Sequence, residues 1–261
     1  MSTKLGQNFL NNKNIIKQII ESANLTADDV VLEIGPGKGI LTEELVKKAE
    51  KVIAVEIDRE LVGPLRDKFK DVSNVEIIEG DILKISLNEF AKNYNLKTEN
   101  YKLIANIPYY ITSPIIRMFL EAEFPPKEMI LMIQKEVAER IVAKPGNHSI
   151  LSLSVQYYAD PEILFYVDKS NFDPAPEVDS AVIHVTRNVK RVAQEETDAF
   201  FRVARAGFCA KRKTLINNLS NSFHLNKKEV EDRLNAIGIK FNVRAQELDI
   251  EKWKEIATLS L

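Results

Sequence analysis

The stretch Asn106-Ile107-Pro108-Tyr109-Tyr110 puts an amide, a proline turn and an aromatic ring in the order needed to hold an exocyclic amine. The side-chain carbonyl of Asn106 can accept a hydrogen bond from an amino group. A backbone carbonyl freed by the proline, that of Ile107, can accept a second. The ring of Tyr109 can stack on a flat base. Taken alone, the pentapeptide reads equally well as a bend whose Asn and Pro only form the turn.

Three earlier positions fall into step with Asn106. Gly35 and Gly37, in Gly35-Pro36-Gly37-Lys38-Gly39, follow the apolar run Val30–Ile34. Glycines there let the backbone approach a ligand, and the helix start beyond favours a carboxylate or phosphate. Glu56 ends the run at residues 52–55 and can accept both hydroxyls of a ribose. Asp81 follows Val75–Glu79 and can accept from an adenine amine. Positions 35, 56, 81 and 106 are spaced by 21, 25 and 25 residues, about one strand and helix each. For any single acid, a solvated strand end is the plainer explanation; four groups in order outweigh it. The set suits adenosine with a short charged tail, as in NAD or S-adenosylmethionine. A dinucleotide oxidoreductase needs a second nucleotide site and a hydride-handling group, and nothing after Asp81 supplies them.

The elements that must carry these groups alternate strand and helix, which predicts an α/β fold with ligand groups at the carboxyl ends of an open sheet. Asn11 or Asn12 can cap an amphipathic helix running to about Ala23, while the segment 1–12, a polar turn ending in the apolar Phe9 and Leu10, reads on its own as a frayed terminus. Ile111-Thr112-Ser113-Pro114 reads as a helix start, with Thr112 or Ser113 as cap and Pro114 first in the helix. Residues 128–134 predict a strand running into a helix at 135–143, which Lys144-Pro145-Gly146-Asn147 breaks. Residues 150–158 fit helix or strand; 162–167 and 180–185 read as strands. Phe172 heads a proline-bracketed loop without apolar neighbours in sequence. It is either a second stacking face or a residue tucked back onto the core.

From residue 198 the strand signal gives way to helical periodicity. Phe201, Ala204, Phe208, Leu215 and Leu219 fall on one helix face. Arg202, Arg205, Arg212 and Lys213 form an adjacent stripe, and Lys211-Arg212-Lys213 is the densest basic patch in the chain. Such a patch suits phosphates; a solvated helix face is the plainer alternative. Lys227-Lys228-Glu229 opens another helix, and residues 243–248 turn into a last one containing Trp253. The division falls at 1–186 and 187–261. Residues 187–261 hold 15 Lys and Arg against 10 Asp and Glu, whereas residues 1–186 hold 21 against 28, an acidic body with a basic tail.

A charged fraction of 28% in 261 residues is ordinary for a globular protein. No apolar run approaches a membrane span and no signal-peptide core is evident. The single Cys209 excludes an intrachain disulfide and suits a reducing compartment. The three His and one Cys have no ligand spacing, which argues against a zinc site.

Taken in order, these motifs resemble the KsgA-type family of bacterial small-subunit rRNA adenine N6,N6-dimethyltransferases. The likeness spans nearly the whole chain, from Gly6-Gln7-Asn8-Phe9-Leu10 through the motifs above, Gln134-Lys135-Glu136-Val137-Ala138-Glu139-Arg140, residues 172–182 and the basic stretch 200–220. The resemblance implies a Rossmann-like class I methyltransferase sheet and a small all-α C-terminal domain. It implies that Asn8, Leu10, Gly35, Gly37, Glu56, Asp81 and Asn106 contact S-adenosylmethionine. Asn106 and the Ile107 carbonyl would hold the target N6, with Tyr109 and Phe172 sandwiching the adenine. Arg202, Arg205, Lys211, Arg212 and Lys213 would contact RNA. The implied substrate is a pair of neighbouring adenosines in the 3′-terminal hairpin of 16S rRNA in the small ribosomal subunit. The protein would act in the cytoplasm without metal, as a monomer off the ribosome. The chain departs from the family at Asn147-His148-Ser149-Ile150-Leu151, where a Tyr-Gly pair is usual. Two other readings stand beside it: an Erm-type methyltransferase of large-subunit rRNA, which shares the early motifs, and a ribosome assembly factor with incidental catalysis.

Overall fold

The computed structural model describes residues 8–98, 100–188 and 193–259, so Gly6 and Gln7 fall outside it. Where the segment 1–12 is described it is not frayed: Phe9 and Leu10 form a strand paired with Asp173 and Phe172. The chain forms two compact units, one running to Ala138 and resuming over Ala159–Arg187, the other comprising Glu139–Tyr158 and the chain from Asn188. A single cut after residue 186 differs from this grouping by residues 139–158 and by Arg187.

In the first unit the elements are β1 (Phe9–Leu10), α1 (Lys13–Ser22), β2 (Val30–Ile34), α2 (Ile40–Leu45), β3 (Lys51–Glu56), α3 (Arg59–Lys68), β4 (Val75–Glu79), α4 (Leu87–Asn93), β5 (Tyr101–Asn106), α5 (Thr112–Leu120) and β6 (Glu128–Gln134). Then come α6 (Lys135–Ile141) and α7 (Ile150–Gln156), and the unit resumes with β7 (Ala159–Val167), β8 (Phe172–Asp173) and β9 (Ser180–Arg187). Residues 150–158, readable either way in sequence, form helix because Ser149 caps them and shares a reciprocal capping box with Ser152.

Seven strands make one sheet in the order β4-β3-β2-β5-β6-β9-β7, with β9 antiparallel to both its neighbours and the pairs from β4 to β6 parallel. The order reverses between β2 and β5, where ligands bind in open α/β sheets. Both strands are covered on both faces, which is why they read as continuous apolar runs. Caps set the flanking helices: Asn12 accepts from Asn14 N–H at 2.8 Å and Asp58 from Glu60 N–H at 3.0 Å.

The start of α5 differs from the expected cap. Ile111 N–H donates to the Pro108 carbonyl at 3.1 Å, closing a 3-10 turn over Tyr109–Ile111. The helix then begins at Thr112 itself, with Pro114 third. A proline there still costs nothing, since first-turn N–H groups have no helical partner.

The second unit adds α8 (Gln194–Gly207), α9 (Leu215–Phe223), α10 (Lys227–Ala236) and α11 (Ile250–Ala257). The expected single face over 200–219 is broken into α8 and α9. A Cβ on Gly207 would stand 2.3 Å from Cη2 of Trp253, so the buried indole packs directly on the helix end. Asn218, 1% exposed, then donates from Nδ2 to the carbonyls of Gly207 (2.6 Å) and Ala210 (3.1 Å). These bonds satisfy the end of α8 and fix the turn. Lys211, Arg212 and Lys213 therefore sit on that turn rather than on a helical stripe.

Candidate active site

One cavity in the first unit gathers the strand ends. Its lining includes Asn8 and Leu10, the turn from Gly35 to Lys38, Glu56, Asp81, the whole of Asn106 to Tyr110, and Phe172. All four spaced positions of the sequence thus open on one space.

The glycine turn is shaped for a ligand to lie close. Gly35 and Gly37 have φ of +67° and +59°, in the left-handed region. A Cβ on Gly37 would meet the Phe9 ring at 3.0 Å, so the main chain stays bare. Glu56, 2% exposed, is held at both oxygens: Gly37 N–H donates to Oε2 at 3.0 Å and Asp58 N–H to Oε1 at 2.8 Å. Burial raises its carboxyl above the usual range, against those N–H bonds. Each oxygen keeps a second lone pair for a hydroxyl. Asp81 accepts from Leu83 N–H at 3.1 Å. Ile57 and Leu83 are 43% and 38% exposed at the rim. They supply apolar faces that the sequence reading missed; the signal was an apolar residue just behind each strand-end acid.

At Asn106 the amide Nδ2 donates to the Asn8 carbonyl at 3.4 Å, which leaves Oδ1 as the acceptor for a ligand amine. Ile107 N–H is spent on the Met132 carbonyl (3.1 Å), and the Pro108 carbonyl on the 3-10 turn. The Ile107 carbonyl is the one this turn leaves over. Tyr109 is anchored through a 2.8 Å hydrogen bond between its hydroxyl and that of buried Ser180. Burial raises its hydroxyl pKa, so the ring stays neutral. Tyr110 is 63% exposed at the mouth and lacks this anchor.

Phe172 is not without apolar company. It is 5% exposed, packed in a cluster with Leu10, Ile16, Ile19, Met132 and Val182. The strand pair β1–β8 sets Leu10 opposite Phe172 and so brings the amino-terminal segment over it. Phe172 is thus tucked onto the core, and it also lines the cavity. Of the five basic residues, all are exposed. Arg202 stacks over the Phe223 ring at 5.2 Å, which ties it to the α8–α9 pair. Among the described residues no cluster of His, Cys, Asp and Glu is placed to hold a metal ion.

Glu33 is a further acid in the cavity, 1% exposed, accepting from Thr42 Oγ1 at 2.7 Å. Burial pushes its carboxyl from 4.5 up to about 8, against the Thr42 bond and with help from the Glu56 charge. Between those values the folded chain binds a proton that the unfolded chain has lost. Stability from this group therefore falls as pH rises through that window, by up to about 1.4 kcal/mol per pH unit. We expect Glu33→Gln to flatten the decline, so its melting temperature should exceed the parent's more at pH 8.5 than at pH 5.5. An equal difference at both pH values would mean Glu33 is ionised in the folded chain.

Fold and site together define a Rossmann-like methyltransferase. The 23S rRNA methyltransferase ErmE matches with a TM-score of 0.77 and 27% identity over 96% of this chain and 98% of its own. A dimethyladenosine transferase from Plasmodium falciparum matches with the same TM-score and identity over 95% of each chain. The model of the ribosomal RNA adenine dimethylase family matches residues 1–260, and the chain belongs to that family. A curated relative from Dehalococcoides mccartyi strain 195, ribosomal RNA small subunit methyltransferase A, is 46% identical over 96% of this chain and 85% of its own length.

Proposed function

We propose that the protein dimethylates N6 of two neighbouring adenosines in the 3′-terminal hairpin of 16S rRNA, using S-adenosylmethionine. The observation that carries this is the opening of the amine-gripping Asn106 loop into the same cavity as Gly37, Glu56 and Asp81. The small-subunit relative at 46% identity supports the choice of substrate.

The residues fit the cofactor. Bare main chain at Gly35 and Gly37 suits the methionine end, Glu56 the ribose, Asp81 the adenine amine, and Ile57 and Leu83 the purine faces. The cofactor supplies an electrophilic methyl on sulfur and leaves as a neutral thioether. The chain's part is to prepare the nitrogen. Asn106 Oδ1 and the Ile107 carbonyl would accept the N6 hydrogens, two in the first round and the one that remains in the second, turning the lone pair outward and stabilising positive charge as it develops; the proton that N6 sheds after each transfer passes to water. Tyr109, fixed by Ser180, stacks on the base, and Phe172 supports the opposite face. Positioning the pair accounts for much of the remaining acceleration. The target base must leave any stack, at a cost of a few kcal/mol that is least in a loop. Lys211, Arg212 and Lys213, with Arg205, meet phosphates. The protein works in the cytoplasm as a monomer until it meets the small subunit.

The test is incubation with labelled S-adenosylmethionine and unmethylated subunits of both sizes, followed by mapping of the modified bases. Dimethyladenosine confined to the small-subunit 3′ hairpin supports the proposal. Label in the large subunit would favour the Erm-type reading, which the likeness to ErmE supports. No label in either, with normal assembly, would favour an assembly factor.

Because Phe172 is also core, Phe172→Ala would mix a packing loss of about 3–5 kcal/mol with any loss of stacking. Phe172→Leu separates them. We expect a melting temperature within a few degrees of the parent, cofactor affinity nearly unchanged and KM for RNA raised about tenfold. Equal losses for cofactor and RNA would remove Phe172 from the base site.

A further inference from the structure

Two tight turns of the second unit are fastened side by side. Lys213 N–H donates to the Ala210 carbonyl at 3.1 Å, which puts Lys211 and Arg212 at the tip of the first. Val243 N–H donates to the Lys240 carbonyl at 3.3 Å, which puts Phe241 and Asn242 at the tip of the second. Leu215 N–H, two residues beyond Lys213, donates to the Val243 carbonyl at 2.8 Å and joins the turns. Thr214 caps α9 from Asn217 N–H at 3.5 Å, and Asn218 fixes the first turn from below. The pair is therefore held from inside the unit.

Phe241 is 67% exposed, the most exposed of the large apolar side chains. It lies outside the cluster that packs its neighbour Val243. A phenylalanine at a turn tip, where Asn, Asp or Gly is usual, costs solubility and gains nothing in folding. Cations crowd around it in sequence and through the stapled turn: Lys211, Arg212, Lys213, Lys240 and Arg244, all exposed. Among the described residues no ion pair engages any of the five. The nearby acid, Glu247, is folded back to accept from Arg244 N–H at 3.0 Å. An unpaired aromatic face among free cations matches an unstacked nucleobase between phosphates.

We infer that these stapled turns form a second RNA contact, in which Phe241 stacks on an unpaired base of the substrate rRNA and the five cations meet its backbone. The inference rests on the rRNA reading above and assigns a base contact to a unit for which only phosphate contacts were expected. Nothing in it depends on the methyl-transfer cavity.

The test uses the full chain and a fluorescently labelled hairpin copied from the small-subunit rRNA 3′ end, with binding measured at several salt concentrations. We expect Phe241→Ala to weaken binding about tenfold, the loss of one base stack, without changing the slope of log K against log salt. Phe241→Trp should restore affinity. Arg212→Ala should instead lower the slope by about one, the signature of a lost phosphate contact. Because Phe241 is exposed, its variants should melt with the parent. Parent-like binding by Phe241→Ala, alongside tight binding by the parent, overturns this inference alone. If the parent binds small subunits but not the hairpin, this inference falls and the rRNA reading stands; binding of neither overturns both. A loss seen only on whole subunits, with the naked hairpin bound as before, assigns the surface to a ribosomal protein and overturns the stacking role.

Discussion

Replacing Asn106 with alanine should lower the rate of methyl transfer at least a hundredfold while leaving the protein folded. The side chain is half-buried, and it is tied to the fold by a long 3.4 Å bond from Nδ2 to the Asn8 carbonyl, so its loss removes little stability. In the proposed mechanism the substitution deletes the acceptor that holds one N6 hydrogen as the nitrogen gains charge. Losing a single preorganised partner of a developing charge costs about a hundred- to a thousandfold in rate. Such a partner is worth more in the transition state than in the bound substrate, so the effect should fall on kcat. Single-turnover transfer of labelled methyl to saturating small subunits reads this directly. Cofactor affinity must be measured beside it, because the Asn106 carbonyl lies 4.0 Å from where a Cβ on Gly35 would stand, at the cofactor end of the cavity. A rate within a few fold of the parent would show that the amide does not grip the amine.

Asn106 was legible in sequence because its context is local. A buried parallel strand reads as an apolar run, and the polar residue ending it stands out. The same holds for Gly35, Glu56 and Asp81, and their spacing carried the alternation of strand and helix, though not the order of strands in the sheet. What escaped reading depends on partners far along the chain. Phe172 gains its apolar surroundings from a strand pair with Leu10, which no local pattern announces. The break between α8 and α9 is imposed by Trp253, whose ring occupies the space a side chain at 207 would need. Asn218 reads as an unremarked polar residue in a helix until its two carbonyl partners are seen. Ile57 and Leu83 look like ordinary apolar residues until their exposure at the cavity rim gives them a purpose. Lys102 is the clearest case, a buried lysine in the otherwise apolar run that forms β5.

Lys102→Met should cost about 3–5 kcal/mol of stability at pH 7, or roughly 10 °C in melting temperature, although the residue stands at the opposite end of β5 from Asn106. Lys102 is 3% exposed. Its Nζ lies 2.8 Å from Glu128 and 3.4 Å from Asp29, and donates to the carbonyls of Ala23 (2.8 Å) and Asn24 (3.2 Å). His184 Nε2 completes the group at 2.6 Å from Glu128. Burial alone would raise the Glu128 carboxyl, but the bonds from His184 and Lys102 outweigh it and carry it down to about 2. The bond to Glu128 holds His184 above its usual range, against burial. Methionine matches the stem of lysine in volume and strands two acids and two carbonyls, and this unpaired set, rather than lost attraction, accounts for most of the cost. The pH dependence follows from the directions. The depressed Glu128 contributes stability that is complete above 4.5 and lost as pH falls toward 2. The raised His184 contributes stability that is complete below 6.5 and lost as pH climbs past its elevated value. The gap in melting temperature between parent and variant should therefore be widest near neutral pH and narrow as pH falls from 4.5 toward 2, where the unfolded chain takes up the Glu128 proton before the folded parent does. Cofactor affinity of the folded variant should match the parent's, which separates this structural charge cluster from the acids of the cavity. An unchanged melting temperature at pH 7 would mean that the ions of this cluster only offset their own burial.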